Sequence, residues 1–482
     1  MKHIFSFLLV AGVISHSTAQ LYTDASANLP DNGAKGASMD VRALDVDQDS
    51  DLDIVLANEF QANTLLINNG QGVFTKATAS ALPQEVHDSE DIAIADFNGD
   101  GIDDLIFCSE DDIHQGQTNV HEYYFGDGTG KFTASSYQFP DSESNAVITF
   151  YINNDSFPDV VFGNKGFNRV YLNNGDGTFE PDEDALPLIS RTTQDLAIAD
   201  IDGDGDTDLF AGNENGNTLY FNDGTGTFTD STSTHLPQGV NMETRKATFG
   251  DIDGDGDQDL FLSNVMFIAG KNIQNRLYVN DGHGKFTDVT ADQLPADSDH
   301  TIDAIFEDVD LDTDVDIVVA NVFGARIKIY RNDGEGDFTD ATDEMLGATY
   351  VRDALGVIAA DLNGDGLRDL YVCDRFMPAQ NKKDLLLLRA PVTSISQPKK
   401  TDIPVRIYPN QISGDFYVET ALKNPRTILL KNLEGKVIDT LNLEWHDVGV
   451  YSGSVEDLSM PAGMYIMELP GTGKGIMVMI KY

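Results

Sequence analysis

Short apolar runs, broken at regular intervals by acidic and glycine-rich stretches, organise this chain, and one order recurs seven times. A short apolar segment comes first, as at residues 92–95 or 196–199. An acidic loop follows it. Next comes a continuous apolar run, as at 54–56, 209–211 or 317–319, the pattern of a strand covered on both faces. A polar residue stops that run: Asn58, Ser109, Asn164, Asn213, Asn264, Asn321 or Asp374. After a connection of variable length a third segment alternates, as in Arg276-Leu277-Tyr278-Val279, and reads as a strand. A turn such as Asn222-Asp223-Gly224-Thr225-Gly226 leads into a fourth segment. Its Asn-Gly and Asp-Gly pairs supply the positive φ that hairpins need. Two residues after six of these turns stand Phe74, Phe132, Phe179, Phe228, Phe286 and Phe338. An aromatic once per unit at a fixed place predicts packing between neighbouring units.

The acidic loop defines the period. Residues 251–259 read D-I-D-G-D-G-D-Q-D, and related loops start at Asp45, Asp96, Tyr151, Asp200, Asp308 and Asp361, spaced by 51, 55, 49, 51, 57 and 53 residues. In the loop from Asp251, carboxylates occupy positions one, three, five and nine. Ca²⁺ takes six to eight oxygens in flexible geometry, and alternate residues of a tight loop can aim at one point. Asp257 at position seven would offer its backbone carbonyl. Gly256 relieves the turn, because glycine adopts positive φ without a steric penalty. An EF-hand would need flanking helices and a Glu at position twelve; here the flanks read as strands. The expectation is a calcium loop at a hairpin bend.

Repeats of about fifty residues with four strands each predict a β-propeller. The seventh unit lacks its glycine turn and fourth strand. The missing strand is expected at the other end, where Leu21-Tyr22-Thr23-Asp24-Ala25-Ser26 matches the sequence around Phe228. That strand would close the ring and remove its open edges. The predicted fold is all-β: a seven-bladed β-propeller over residues 20–390, followed by a small C-terminal β-sandwich over 404–482.

The units resemble FG-GAP/VCBS repeats, which build the integrin α propeller. That resemblance implies Ca²⁺ in the hairpin loops of one face and ligands bound on the other. Carried over residue by residue, the loops at 200–208 and 251–259 match in full, with Asp200, Asp202, Asp204, Asp208, Asp251, Asp253, Asp255 and Asp259. One loop holds Asp96, Asn98, Asp100 and Asp104, and another Asp361, Asn363, Asp365 and Asp369; amide oxygens still ligate. Two more keep Asp45, Asp47, Asp49 and Asp53, and Asp308, Asp310, Asp312 and Asp316, but place Ser50 and Thr313 where glycine is usual. The loop at 151–159 has Tyr151 at position one and is expected to be weak or empty. About six Ca²⁺ sites follow.

Net charge is −49, which argues against a nucleic-acid partner. Disorder, the other reading of such acidity, is opposed by 41% hydrophobic residues and by patterning: 24 of the 80 acidic residues sit at ligand positions of the seven loops. Residues 1–19 read as a secretory signal, with Lys2, an apolar stretch at 4–14 and a small-residue end at Ser17-Thr18-Ala19. No later segment is long and apolar enough to span a membrane. Cys108 and Cys373 occupy the same place in their units, where others hold Ala57, Gly163, Gly212, Ser263 and Ala320; both are read as small buried side chains.

Residues 391–403 read as a linker. Beyond it, strands are expected at 405–408, 416–419, 427–432, 464–468 and 475–480. Tyr408-Pro409-Asn410, residues 433–437, residues 458–465 and the closing 478–482 resemble a type IX secretion C-terminal sorting domain, with Gln411 where a second proline is usual. The resemblance implies engagement of that secretion machinery and delivery outside a Gram-negative cell, secreted or held at its outer surface.

No Ser-His-Asp order with elbow glycines, His-Glu-x-x-His, zinc cysteine pair or phosphate loop is present in the sequence. Carboxylate pairs occur as calcium ligands. Local function is expected on the face opposite the acidic loops, where connections vary in length. Phe60, Phe167, Phe267, Phe323 and Phe376 follow the polar stops, and Arg191 and Arg352 precede first strands. A ring of aromatic and basic groups around the channel would suit a glycan or a protein ligand. The preferred reading is a non-catalytic, calcium-binding adhesion or binding module. The alternative is a secreted polysaccharide-active lyase or hydrolase with its site on the same face.

Overall fold

Apolar residues on both faces force the second segment of each unit into the middle of a sheet. In the computed structural model these strands, such as Asp104–Ser109, Asp208–Asn213 and Asp259–Asn264, are buried along their whole length. The structure describes residues 20–31, 37–110, 116–153, 155–375 and 383–390. It also describes 406–408, 411–412, 415–419, 427–431, 437–447, 450–454, 463–469 and 475–480. The expected signal at 1–19 and the expected linker at 391–403 lie outside these residues. The chain divides into two units at residues 392 and 393.

In the first unit, each acidic loop joins two antiparallel strands. Thr244–Gly250 pairs with Asp259–Asn264, which pairs with Arg276–Val279, which pairs with Thr287–Asp288. The same four-strand order holds at the other loops. Two pairs of units are joined further into eight-stranded sheets, through Glu59↔Asp88 and Gln61↔His87 and through Lys165↔Thr192 and Gly166↔Arg191. First strands of successive units lie side by side in a circuit that returns from Ala354–Ala360 to Ser38–Leu44. The N-terminal strand Tyr22–Asp24 pairs with Leu385–Arg389, as the sequence match predicts.

The apolar cores lie between sheets. Each cluster draws from two consecutive units, and each contains the expected aromatic: Phe132, Phe179, Phe228, Phe286 and Phe338 in turn. Tyr22 takes that place beside the last sheet. Phe74 lies in the cluster that joins the last unit to the first, against Tyr371, Leu386 and Cys373. Both cysteines are free and buried, as read from their position.

Hydrogen bonds repeat across the same boundaries. The first asparagine of the glycine turn reaches back to the preceding unit's acidic loop. Asn173, Asn280 and Asn332 donate their amide N–H to the carbonyls of Phe97, Ile201 and Ile252 at 3.0, 2.8 and 2.8 Å. Asn68 does the same to Leu362 at 2.8 Å, across the join between last and first units. Positive φ in these turns is carried by the glycines, so asparagine serves as a hook rather than as the turn residue. Three short helices, Thr232–His235, Thr290–Gln293 and Thr342–Leu346, follow fourth strands and were not expected. Each starts where an aspartate two residues back accepts the threonine N–H, as Asp230 does from Thr232 at 3.0 Å.

The second unit has two sheets. One orders Arg406–Tyr408, Asp415–Glu419, Val450–Ser454 and Glu444–Asp447; the other orders Gln411–Ile412, Gly475–Ile480, Gly463–Glu468, Thr427–Lys431 and Val437–Asn442. Ile407, Phe416, Val418 and Tyr451 from the first meet Ile428, Leu430, Tyr465 and Met467 from the second in one apolar cluster. Strands at Val437–Asn442, Glu444–Asp447 and Val450–Ser454 go beyond those expected. Among the described residues no helix is long and apolar enough to cross a membrane.

Candidate functional site

Each acidic loop is wound by its own carboxylates. In the loop from Asp251, the Oδ1 atom accepts the N–H of Gly254 at 2.7 Å and Oδ2 accepts that of Gly256 at 3.0 Å. Asp253 accepts from Asp255, and Asp255 from Asp257. The loops from Asp96, Asp200 and Asp361 repeat the position-one bonds.

Position nine does something else. Asp259 is buried; its Oδ2 accepts the N–H of Ile252 at 3.1 Å and its Oδ1 that of Asn280 at 2.9 Å. It therefore ties the loop to the glycine turn. Asp53, Asp104, Asp159, Asp208 and Asp316 are bonded in the same way, and Asp369 accepts from Leu362 and, in place of a glycine turn, from Arg389. Burial pushes the carboxyl of Asp259 up to about 7 and that of Asp159 to about 6, against the pull of those N–H groups.

The donor sets fit a hard cation. Carboxylate oxygens of Asp45, Asp47 and Asp53 converge to within 4.8 Å, as do those of Asp200, Asp202 and Asp208, of Asp251, Asp253 and Asp255, and of Asp308, Asp310 and Asp316. All are oxygen donors, the set that Ca²⁺ prefers. Asp47 Oδ1 and Asp310 Oδ1 are shielded from solvent and have no hydrogen-bond partner. Burial, followed by repulsion from Asp312, pushes Asp310 up to about 6; a cation among these groups would reverse that push. At the exposed Tyr151 the loop has no carboxylate at position one, yet the clamp from Asp159 persists.

Ser50 and Thr313 keep the loop shape without glycine. Their φ angles are 77° and 85°, beside 95° at Gly205 and 94° at Gly256, and Gln48 and Leu311 are also left-handed at 62° and 64°. Such a conformation costs an L-residue about 1–2 kcal/mol, and more for a β-branched one. Thr313→Gly is expected to stabilise the fold by about 1 kcal/mol, after the entropy of the added glycine. A urea-unfolding midpoint below that of the parent would contradict this.

At the other end, a cavity of about 260 Å³ is lined mainly by the starts of first strands, with Glu59, Glu110, Phe267 and Arg375 from the ends of second strands and the residues after them. Phe267 lines it, with the Arg245 guanidinium 4.6 Å over its ring and Phe323 edge-on at 5.4 Å. Phe60, Phe167 and Phe323 are exposed but do not line the cavity, and Phe376 lies outside the described residues. Arg191 is exposed at the start of its strand. Arg352 points elsewhere: it pairs with Asp374 at 3.0 Å beside a separate outer cavity of about 460 Å³ that includes Asp24 and Lys383. The expected basic ring is thus replaced by an acid-rich lining in which Asp40, Glu59, Glu90, Asp91, Glu110, Asp195 and Asp303 outnumber Arg245, Lys246 and Arg375. Burial, then the charges of Asp88, Glu110 and Glu59, push Glu90 well above the carboxylate range. All of these acids lie outside the loops: Asp40, Glu90, Asp91, Asp195 and Asp303 on first strands, and Glu59 and Glu110 at or just past the ends of second strands. Aligning the strands on the loop start would have exposed Asp40, Asp91, Asp195, Lys246 and Asp303 at one register position, five residues upstream.

The chain matches the FG-GAP-like repeat family at residues 45–107, 151–211, 200–262 and 308–372. No curated protein is significantly similar. Among solved structures, BBS1N in complex with ARL6DN is 11% identical and covers 78% of this chain and 98% of its own, with a TM-score of 0.50. An Agrocybe aegerita lectin that recognises non-reducing terminal N-acetylglucosamine is 18% identical over 64% of this chain and 82% of its own, with a TM-score of 0.43. The extracellular domain of a hybrid two-component system from B. thetaiotaomicron is 10% identical over 96% of this chain and 58% of its own, with a TM-score of 0.44. With the loops, the sheets and the interleaved cores, the family match shows that the chain carries FG-GAP-like repeats on a β-propeller scaffold.

Proposed function

We propose that this protein is a secreted or surface-held β-propeller of seven blades, stabilised by Ca²⁺ in its acidic loops, that acts as a non-catalytic binding module for a glycan or protein ligand. Residues 404–482 form a small sandwich that serves export through the type IX machinery. One observation carries the binding reading: the channel cavity opens at the end remote from the acidic loops, lined there by the exposed Phe267, whose ring touches the exposed Phe323 beside it. Exposed large aromatics in contact with one another are unusual on a surface that meets only water. Phe323 and Phe60 also hold left-handed φ angles of 60° and 53°, a strain that concentrates where ligands are held. A glycan and protein binding array, run with Ca²⁺ and with chelator, tests the reading. Binding of a defined ligand is expected, weakened about tenfold or more in the Phe267→Ala, Phe323→Ala double variant, a loss of about 1.4 kcal/mol. Turnover on a polysaccharide panel that disappears in His300→Ala would replace the binding reading with an enzymatic one.

A further inference from the structure

Every first strand carries one residue more than its partner requires. The pairing register slips between Ser38 and Asp40, Ser89 and Asp91, Ser144 and Ala146, Thr193 and Asp195, Thr244 and Lys246, Thr301 and Asp303, and Ala354 and Gly356. A bulge of this kind re-aims one side chain. Here all seven extra residues line the same cavity.

Their order round the circuit divides the wall in two. The sixth, seventh and first units contribute Ile302, Leu355 and Met39, a continuous apolar arc. The second to fifth contribute Glu90, Asn145, Gln194 and Arg245, a continuous polar arc. The acidic residues beside the bulges are mostly held by protein groups. Arg42 pairs with Asp40 at 2.7 Å and Asp91 at 2.8 Å, Lys246 pairs with Asp195 at 3.0 Å, and Asp303 accepts the Val357 N–H at 2.7 Å. The polar arc is satisfied only in part: Arg245 donates to Gln194 and Glu243, and Gln194 donates to Glu214, but two donors are left over. Asn145 is 6% exposed, yet its Nδ2 has no hydrogen-bond partner, and neither has Arg245 Nε. Asp40 Oδ2, beside the Met39 bulge, also lacks one. Buried donors left unmet carry a desolvation penalty that a ligand can remove.

We infer that this cavity receives one pyranose ring of a glycan, with its hydroxyl edge on the polar arc and its C–H face on the apolar arc. Hydroxyl groups donate and accept at once, which suits a wall that offers both carboxylate oxygens and N–H groups. An anion would meet Glu59, Glu90 and Glu110, and an ammonium ion would meet Arg245 and Lys246. The space equals roughly nine waters at liquid density, of the order of one sugar ring, and Phe267 at the mouth offers a surface for the next. The inference rests on the binding reading above and narrows it to one ligand class and one site.

The experiment is titration of the full chain, by calorimetry and saturation-transfer NMR, with methyl pyranosides of glucose, galactose, mannose, xylose and N-acetylglucosamine, and with spermidine and citrate as charged probes. At least one pyranoside is expected to bind, with Kd raised about tenfold or more in Asn145→Leu, equivalent to about 1.4 kcal/mol. Ile302→Trp, which fills the apolar arc, should abolish binding, and gives a second reading if the first variant folds poorly. Absence of binding by every pyranoside overturns the inference, as does affinity unchanged in both variants or saturation by spermidine or citrate alone. A protein ligand on the array that free sugar does not displace overturns the inference and leaves the binding reading standing.

Discussion

Asp159→Ala is expected to lower the unfolding free energy of the propeller by about 3–5 kcal/mol, equally in Ca²⁺ and in chelator. Asp159 is fully buried, and its two oxygens accept the N–H groups of Ile152 at 3.0 Å and Asn173 at 2.8 Å. Truncation leaves both donors buried and unmet, at about 1–3 kcal/mol each, and opens a small void between loop and turn. Asp159→Asn keeps one acceptor but turns its amide N–H toward the other donor, so an intermediate loss is expected. The loop at 151–159 is the informative place for this test. With Tyr151 at position one it lacks the carboxylate that a cation would need first, so the clamp is measured apart from any ion. Urea unfolding at fixed pH, with and without chelator, provides the measurement. A loss below about 1 kcal/mol, or one seen only in Ca²⁺, would show that position nine is a ligand and little else.

Removal of divalent cations should have the largest effect on the whole chain. Among the described residues four loops present converging carboxylate oxygens, and an ion that binds only the folded form stabilises it by about 2.7 kcal/mol per site at a hundredfold excess over Kd. Together these predict a fall in melting temperature of about 10 °C or more in excess chelator. The physical reason lies in the unbalanced charge of the empty loops. Asp47 Oδ1 and Asp310 Oδ1 are buried without a partner, and Asp312 stands close enough to Asp310 to raise its carboxyl. Asp253→Ala should remove one site's share, seen as a smaller response to Ca²⁺ with little change in chelator. Ca²⁺ should restore stability where Zn²⁺ does not, because no nitrogen or sulfur donor stands in the ligand sets. A melting temperature indifferent to chelator would remove calcium from the proposal and leave the loops as turns held by their own hydrogen bonds.

Much of the scaffold was legible because each part of it is a local pattern repeated at a fixed period. The continuous apolar run of Asp259–Asn264, the alternation of Arg276–Val279 and the glycines of the turn each state their own conformation. Repetition then multiplies a weak signal. The N-terminal strand could be placed for the same reason: Tyr22–Asp24 matches a fourth strand and the last unit lacks one. Other features carried no local mark. The hook from Asn68 to Leu362 spans 294 residues and looks, in sequence, like an ordinary turn asparagine. Arg352 reads as a face residue beside its strand, but Asp374 at 3.0 Å draws it toward the outer cavity.

What the sequence alone determined is therefore the unit: strand, acidic bend, strand, strand, glycine turn and strand, with an aromatic for the neighbour to bury. These follow from residue type and spacing over a few residues, where backbone preference and side-chain period act directly. The tertiary structure alone decided which residues meet at the axis. A one-residue bulge in each first strand turns Glu90, Asn145, Gln194 and Arg245 to one side of a cavity and Ile302, Leu355 and Met39 to the other. No window of a single unit contains that division, because its members lie about one repeat apart and become neighbours only when the circuit of strands closes.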